Sequence, residues 1–327
     1  MELTIKGQQI ISLPLRAKSK MARRIFEIDL LRGILIILMI LDHLAYDFGI
    51  LAPDFFIVSS APTWLADLSA WSEQYWYEAW RLNFRYVIIV LFFLLVGLSS
   101  TLSRNSLKRG MLIFGFGCVI SIFAYLGATV FETNMFIFFG IISCLGLSLI
   151  VYSLLRKLVV LLTGSARVWK WFALFLALLF MACGYWMRSE IATISLNSEN
   201  WWLVINGRYT PTIPTHGYVM NEFTPFDYDF ATKLDIILGR SWYGVDFAGL
   251  FPYLGYAFLG GFIGELLYVN KQSLIFKSAN LQEHIVEKIF RPLTYIGSKT
   301  IYIYLLHQLV LGLFAFLIFY SCGTPLR

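Results

Sequence analysis

The segment Arg24–Gly49, RIFEIDLLRGILIILMILDHLAYDFG, is long enough to span a bilayer and yet carries ionisable residues along one side. An apolar stretch needs about 20 residues to cross the hydrocarbon core, and residues 28–50 supply them. A charged group at the centre of such a helix costs about 2.5 to 3.5 kcal/mol, so it is expected to face protein groups instead of lipid. The residues concerned are Asp29, Arg32, Asp42, His43 and Asp47.

The spacing of these residues predicts that several of them share one helix face. His43 follows Arg32 by 11 residues, about three turns, so both side chains point the same way about 16 Å apart along the axis. Asp47 lies one turn beyond His43, where it is expected to orient the imidazole. A cation near one membrane surface and a histidine near the other predict a functional pathway along the helix. The alternative is that Arg32 reaches lipid headgroups while His43 and Asp47 are ordinary satisfied polar groups.

Composition indicates a polytopic membrane protein. Of the 327 residues, 58% are hydrophobic and 14% are charged, and the mean hydropathy is +0.70, which excludes an ordinary soluble globule. The formal charge of +6 comes from short segments between apolar spans, so no nucleic-acid partner is expected. No metal site is expected either, because the four cysteines lack the spacing of metal ligands. They are Cys118, Cys144, Cys183 and Cys322.

The fold class predicted from hydropathy is an all-α transmembrane bundle of about seven spans. Lysine and arginine concentrate in the segments that precede the first span and follow the second, fourth and sixth, which predicts a cytoplasmic N-terminus. The expected spans are 28–50, 84–103, 111–130, 135–155, 171–187, 247–268 and 293–320. The expected organisation is a basic cytoplasmic segment 1–27, a transmembrane domain 28–320 with a long outer loop 188–246, and a tail 321–327.

Further polar residues fall at depths that could meet those of the first span. His307 in the last span is expected not far from the depth of His43, and Asp246 begins the sixth span from the outer side. Lys299 and Arg109, near inner span ends, could join Arg32 in an anion site. Three chemistries fit such a set: acyl transfer with histidine as base or acyl carrier, proton or anion transport, and haem ligation by two histidines.

Several stretches resemble the heparan-alpha-glucosaminide N-acetyltransferase-like family of bacterial membrane proteins. They are EIDLLRGILIILMILDHLAYD, FFLLVGLSS followed by LKRG, IFFGIISCLGLSL, DFAGLFPYLGYAFLGGFIG and RPLTYIGSKTIYIYLLHQ, in that order along the chain. The Arg, ten residues, His arrangement is also similar to the wider transmembrane acyltransferase superfamily, which includes O-acetyltransferases of bacterial surface glycans. Where relatives often read FGILH, this chain has FGIISC, so no role is carried over to Ser143 or Cys144.

The resemblance implies an integral-membrane acyltransferase of the bacterial plasma membrane. Arg32 would help to receive cytoplasmic acyl-CoA, with acetyl-CoA the expected donor and no metal required, and His43 would act in acyl transfer at the outer end. The expected partners are acyl-CoA, a glycan or lipid-linked saccharide acceptor and membrane lipids. The acceptor, the acyl chain length, O- or N-transfer, acylation of His43 and formation of a homodimer all stay open, and a proton- or anion-coupled transporter is the alternative function.

Overall fold

The computed structural model describes residues 24–103, 105–131, 137–192, 218–219, 230–240, 242–243, 246–278 and 283–326. Its first span consists of α1 (Phe26–Tyr46), a π-helical turn (Asp47–Leu51) and α2 (Ala52–Phe55). A short 3-10 turn (Val58–Ser60) leads to α3 (Thr63–Tyr77). The elements that follow are α4 (Ala79–Leu102), α5 (Ser106–Phe131), α6 (Ile141–Thr163), α7 (Ala166–Ala192), β1 (Tyr218–Val219), α8 (Phe230–Leu238), β2 (Trp242–Tyr243), α9 (Leu250–Leu267), α10 (Leu274–Ser278), α11 (Glu283–Ser298) and α12 (Thr300–Ser321).

The predicted all-α membrane bundle is confirmed. Within the described part of the chain, seven helices are long and apolar enough to cross a membrane: Phe26–Phe55, Asn83–Leu102, Ser106–Gly127, Ile141–Thr163, Ala166–Met187, Leu250–Leu267 and Thr300–Ser321. Large apolar side chains such as Phe123, Val130 and Leu161 are exposed on their outer surfaces, as expected of helices that face lipid. A parallel pair formed by β1 and β2, two residues each, is a small departure from an all-helical chain.

The last span begins later than predicted. The range 293–320 joins the end of α11 to α12, whereas the structure breaks the helix at Lys299, which has φ −110° and ψ 11°. The reason is that α11 is amphipathic and carries Glu287, Lys288 and Arg291, so it is not apolar enough to lie within the hydrocarbon core. Most of the predicted basic segment 1–27 and of the outer loop 188–246 lies outside the described residues, as does Arg327 of the tail.

Helix α9 lies at the centre of one half of the bundle. It packs against α4 and α7, and also against α6, which in turn packs against α5. Their shared core includes Phe93, Tyr152, Trp169 and Phe258, which are all nearly or fully buried. This half of the molecule forms a scaffold behind α4.

Helix α1 lies on the other side of α4 and also contacts α3, α11 and α12. Its apolar residues Leu35, Ile36 and Met39 pack with Ile88 and Phe92 of α4. We call the membrane face at which α1 begins the entry face and the face at which α2 ends the exit face. The polar residues of α1 therefore lie between two layers of helices, not against lipid.

Candidate functional site

Two histidines from different helices meet in the interior. The rings of His43 in α1 and His307 in α12 are in edge-to-face contact, with centroids 4.8 Å apart and planes at 83°. The ring of Tyr304 also contacts His307, at 5.3 Å between centroids. The two imidazoles therefore meet, as their predicted depths indicated. Because the two rings touch directly, a porphyrin does not fit between them in this arrangement.

The hydrogen bonds of both rings define their tautomers. Nδ1 of His43 lies 2.9 Å from the carbonyl oxygen of Met39, and Nδ1 of His307 lies 2.6 Å from that of Tyr304. A carbonyl oxygen only accepts hydrogen bonds, so each Nδ1 carries the proton and each neutral ring keeps its lone pair on Nε2. Nε2 of His307 is buried without a hydrogen-bond partner among the described residues. The pair therefore presents basic nitrogens that can accept a proton or attack a carbonyl.

Asp47 contacts α12 instead of the imidazole of His43. It lies at the start of the π-helical turn, is fully buried, and its Oδ1 accepts a 2.5 Å hydrogen bond from Nε2 of Gln308. Its Oδ2 and Oε1 of Gln308 are buried and have no hydrogen-bond partner among the described residues. A π-helical turn changes the register of the side chains that follow it and frequently occurs at functional sites. Asp47 thus ties α1 to the helix that carries His307.

A buried ion pair holds α1 against α4 at the exit-face end. Arg81 is fully buried, and it donates from Nε and Nη2 to the two carboxylate oxygens of Asp42 at 2.6 and 2.5 Å. Its guanidinium carbon lies 3.5 Å from the centre of the Trp76 ring, and Tyr75 donates to Asp42 at 3.2 Å. Burial lowers the pKa of Arg81, and the charge and hydrogen bonds of Asp42 oppose that shift. Arg81 is not among the candidate residues that the sequence indicated.

Basic side chains gather in a pocket of about 290 Å³ at the entry face, which we call the basic pocket. Asp29 bridges two of them, accepting from Arg24 at 2.8 Å and from Arg32 at 3.0 Å, and Arg32 also donates to Ser99 of α4. Arg109 is half-buried, and its guanidinium makes no hydrogen bond or ion pair within the described chain. The lining is completed by Ile25, Ile28, Leu102, Ser103 and Lys271.

An open groove of about 1,040 Å³ adjoins the basic pocket and shares Arg24 and Asp29 with it. We call it the α11 groove, because its remaining lining is Phe26, Glu287, Lys288, Arg291, Pro292, Thr294, Tyr295 and Ser298. Lys299 lies at the turn that follows α11, exposed, with its ammonium nitrogen 5.9 Å from the centre of the Tyr302 ring. It lines neither the groove nor the basic pocket. Of the three predicted anion-binding residues, the structure brings together Arg32 and Arg109.

Asp246 lies in the loop before α9, next to the start of α6. It is half-buried and accepts a 3.3 Å hydrogen bond from the backbone N–H of Ile141, where α6 begins. Burial raises the pKa of Asp246 to about 6, and the charge of Arg85 opposes the shift. Arg85 also acts electrostatically on His43 and Tyr304, and sequence reasoning missed it. The signal was its position one turn after Arg81, at the start of a span.

No group of three or more His, Cys, Asp or Glu side chains suited to a metal ion occurs among the residues that the structure describes. Residues 24–309 match the family model described as heparan-alpha-glucosaminide N-acetyltransferase, catalytic. Searches of curated proteins and of solved structures return no match. The matched range begins at the basic pocket and includes both histidines, so it covers the whole candidate site. The chain therefore belongs to the heparan-alpha-glucosaminide N-acetyltransferase family, a family of membrane acetyltransferases.

Proposed function

We propose that this protein moves an acyl group, acetyl in the simplest case, from acyl-CoA at the entry face to a saccharide acceptor at the exit face. The entry face is taken to be the cytoplasmic side of a bacterial plasma membrane, and the acceptor is a surface glycan or a lipid-linked saccharide. The observation that carries the proposal is the direct contact of His43 and His307, each with Nε2 free of hydrogen bonds, where His43 belongs to the helix that begins at the basic pocket.

The basic pocket is suited to the phosphates of the donor. Guanidinium groups bind phosphate through paired N–H donors, and a buried cation without a partner gains most from an incoming anion. Asp29 already neutralises part of the charge of Arg24 and Arg32, whereas Arg109 has no ion pair in the described chain. We assign phosphate binding to Arg32 and Arg109, with Lys271 and Arg24 at the pocket entrance. The α11 groove offers room for the nucleotide end of the donor.

The distance along α1 suits a donor that reaches from one site to the other. Arg32 and His43 lie about 16 Å apart along the helix axis. Coenzyme A carries its thioester at the end of a long flexible arm, so phosphates in the basic pocket allow the acyl carbonyl to approach His43. The donor therefore stays anchored at the entry face while its acyl group reaches the level of the histidine pair.

His43 supplies the proton transfer that acyl transfer requires. As the acceptor hydroxyl or amine attacks the thioester carbonyl, Nε2 of His43 takes its proton, and the departing thiolate of CoA is protonated in turn. In a two-step form, Nε2 attacks the thioester carbon, the C–S bond breaks and releases CoA, and the acceptor then attacks the acyl-imidazole, loses its proton and frees the ring. Asp47 acts by positioning, since its hydrogen bond to Gln308 fixes α12 and so His307 beside His43. We assign acceptor binding to His307 and Asp246.

The test uses detergent-purified protein with radiolabelled acetyl-CoA and glucosamine, which offers both an amine and hydroxyls. His43→Ala should reduce transfer by about a hundred- to ten-thousand-fold, the usual contribution of a positioned base, while acetyl-CoA binding by calorimetry is retained. His284→Ala, at the start of α11, is the matched control and should keep wild-type turnover. Full turnover in folded His43→Ala protein would remove this residue from the mechanism.

Two further measurements address the acceptor and the alternative function. Mass spectrometry of surface glycans and lipids from a deletion strain should show the loss of one acyl group, which identifies the natural acceptor. Assays in proteoliposomes distinguish acyl transfer from solute transport. Solute uptake without any acyl transfer would show that the protein is a proton- or anion-coupled transporter and not an acyltransferase.

A further inference from the structure

Arg85 of α4 is an uncommitted cation beside the histidine pair. It is half-buried, and its guanidinium makes no hydrogen bond or ion pair with any residue that the structure describes. Arg81, one turn earlier, is saturated by Asp42, by the carbonyl oxygen of Trp76 at 3.3 Å and by the Trp76 ring. Arg81 occupies both oxygens of Asp42, so that carboxylate acts on Arg85 through its charge and makes no hydrogen bond to it.

The packing of α1 against α4 places Arg85 close to the depth of His43. The two helices are antiparallel, with Asp42 bound to Arg81 near the exit face and Arg32 bound to Ser99 near the entry face. Arg85 is one turn, about 5.4 Å, closer to the entry face than Arg81. Four residues separate them, so Arg85 lies on the same face of α4 as Arg81, towards α1, and at about the level of Met39, whose carbonyl oxygen is 2.9 Å from Nδ1 of His43.

Three groups around Arg85 come from three other segments. Its charge acts on His43 of α1, on Asp246 before α9 and on Tyr304 of α12, so it lies within electrostatic range of each. Asp246 is held by the N–H of Ile141 and forms no salt bridge to Arg85 among the described residues. A half-buried guanidinium with no hydrogen-bonded partner can donate to an anion that comes within reach. The proposed reaction produces such an anion.

We propose that Arg85 is a further catalytic residue, which donates hydrogen bonds to the oxygen of the acyl carbonyl as that oxygen becomes negative. The proposal rests on the proposed acyltransferase function. When the nucleophile bonds to the carbonyl carbon, the C=O π electrons move to oxygen and give a tetrahedral oxyanion. The oxyanion then re-forms the C=O bond and expels the CoA thiolate, which takes the proton released by the nucleophile. N–H donors that are already oriented stabilise this charge without reorganisation.

The kinetic test compares Arg85→Gln and Arg85→Lys with wild type, using acetyl-CoA and glucosamine. Removal of one oxyanion donor typically lowers kcat by about a hundred- to a thousand-fold, and we expect this for Arg85→Gln with KM for acetyl-CoA unchanged. Arg85→Lys keeps the charge and should lose less. Arg156→Gln, at the entry-face end of α6 where it pairs with Glu265 at 2.8 Å, is the matched control and should keep kcat. A higher KM for glucosamine at unchanged kcat would assign Arg85 to acceptor binding and overturn the proposal.

A second readout needs neither donor nor acceptor. Diethyl pyrocarbonate acylates imidazole through the same kind of tetrahedral oxyanion, and mass spectrometry follows His43 with His284 as the internal reference. At a pH well above the titration range of imidazole, His43 should react more slowly in Arg85→Gln, whereas His284 should not change. Equal rates at His43 in folded wild type and variant would overturn the role of Arg85. A wild-type protein that transfers no acetyl group would instead refute the proposed function, so the two failures are distinguishable.

Discussion

Arg32 is the residue on which the donor assignment depends most directly. It donates to Asp29 and Ser99, which fix its guanidinium at the edge of the basic pocket next to Arg109. Arg32→Lys keeps the charge but loses the planar fork, so acetyl-CoA binding should weaken in this variant and weaken further in Arg32→Ala. Isothermal titration calorimetry measures both, with Arg156→Ala as the control that removes a cation outside the pocket. Wild-type affinity in both Arg32 variants would exclude the donor role.

The pair of Asp42 and Arg81 is a case in which two charges are buried together. Each carboxylate oxygen of Asp42 receives a hydrogen bond from Arg81, so loss of one partner leaves the other desolvated and unpaired. Asp42→Leu or Arg81→Met should each lower the free energy of unfolding in detergent by about 3–5 kcal/mol. The double variant should recover most of this loss, because no charge is then buried. Losses that simply add in the double variant would show that the pair does not act as a unit.

Asp246 makes stability depend on pH in a predictable direction. Burial raises its pKa to about 6 from the ordinary value of 3.8, so between these values the folded protein holds a proton that the unfolded chain releases. Stability from this group is therefore present at low pH and is lost as pH rises through 6. Asp246→Asn should be more stable than wild type above pH 6, and the difference should shrink towards pH 4. Thermal unfolding across this range measures it, with the exposed Glu73→Gln as control; parallel profiles for wild type and Asp246→Asn would contradict the assignment.

Among the elements, the crossing of α1 and α11 depends on two glycines. A Cβ at Gly33 would collide with the backbone of Leu293, and one at Gly297 with the backbone of Asp29. Either Gly→Ala change must push the helices apart, at a typical cost of about 1–3 kcal/mol. Because Asp29 lines both the basic pocket and the α11 groove, we also expect weaker acetyl-CoA binding. Gly115→Ala, where a Cβ would meet nothing, is the control; unchanged binding and stability in Gly33→Ala and Gly297→Ala would show that the crossing tolerates separation.

The elements that sequence reasoning predicted best are those set by long apolar runs. All seven spans are present, since 18 or more apolar residues determine a spanning helix almost alone. The break at Lys299 was missed because the residues on both sides of it are apolar on average. The change from an amphipathic helix to an apolar one depends on which helix face carries the charges, and average hydropathy does not report this. The π-helical turn at Asp47 was missed for a similar reason, because a register shift leaves composition unchanged.

Within the site, the depth of a residue could be predicted but its rotation could not. His43 and His307 meet as their depths indicated, and Arg32 and Arg109 share a pocket. Asp47 contacts Gln308, and Lys299 lies outside the basic pocket that contains Arg32. The direction of each side chain depends on the rotation of its helix about the helix axis, which is determined by packing. Arg85 was overlooked because an arginine near a span end ordinarily signals only an interface.

At the scale of the whole molecule, contacts at the two membrane faces agree with seven spans that cross the membrane in alternating directions. At the exit face, Phe56 after α2 bridges to Leu326 after α12, and Gly140 before α6 bridges to Phe247 before α9. At the entry face, Glu27 of α1 accepts from Ser273 after α9. Each contact joins ends that alternation places on the same side. The assignment of the entry face to the cytoplasm rests on the distribution of lysine and arginine.

Orientation in the membrane is the prediction on which the direction of acyl transfer depends. Basic residues are concentrated in segments on the entry face, so this face should be cytoplasmic, and the loop between α7 and α8 should lie outside the cell. In a background with the four native cysteines replaced, Asn105→Cys, exposed between α4 and α5, should react with a membrane-impermeant maleimide only after permeabilisation. Ser198→Cys, in the loop outside the described residues, should react on intact cells. Wild-type rates of acetyl transfer by the two cysteine variants before labelling would show that both are folded. The reverse labelling pattern would place the basic pocket outside the cell, where cytoplasmic acyl-CoA cannot reach it.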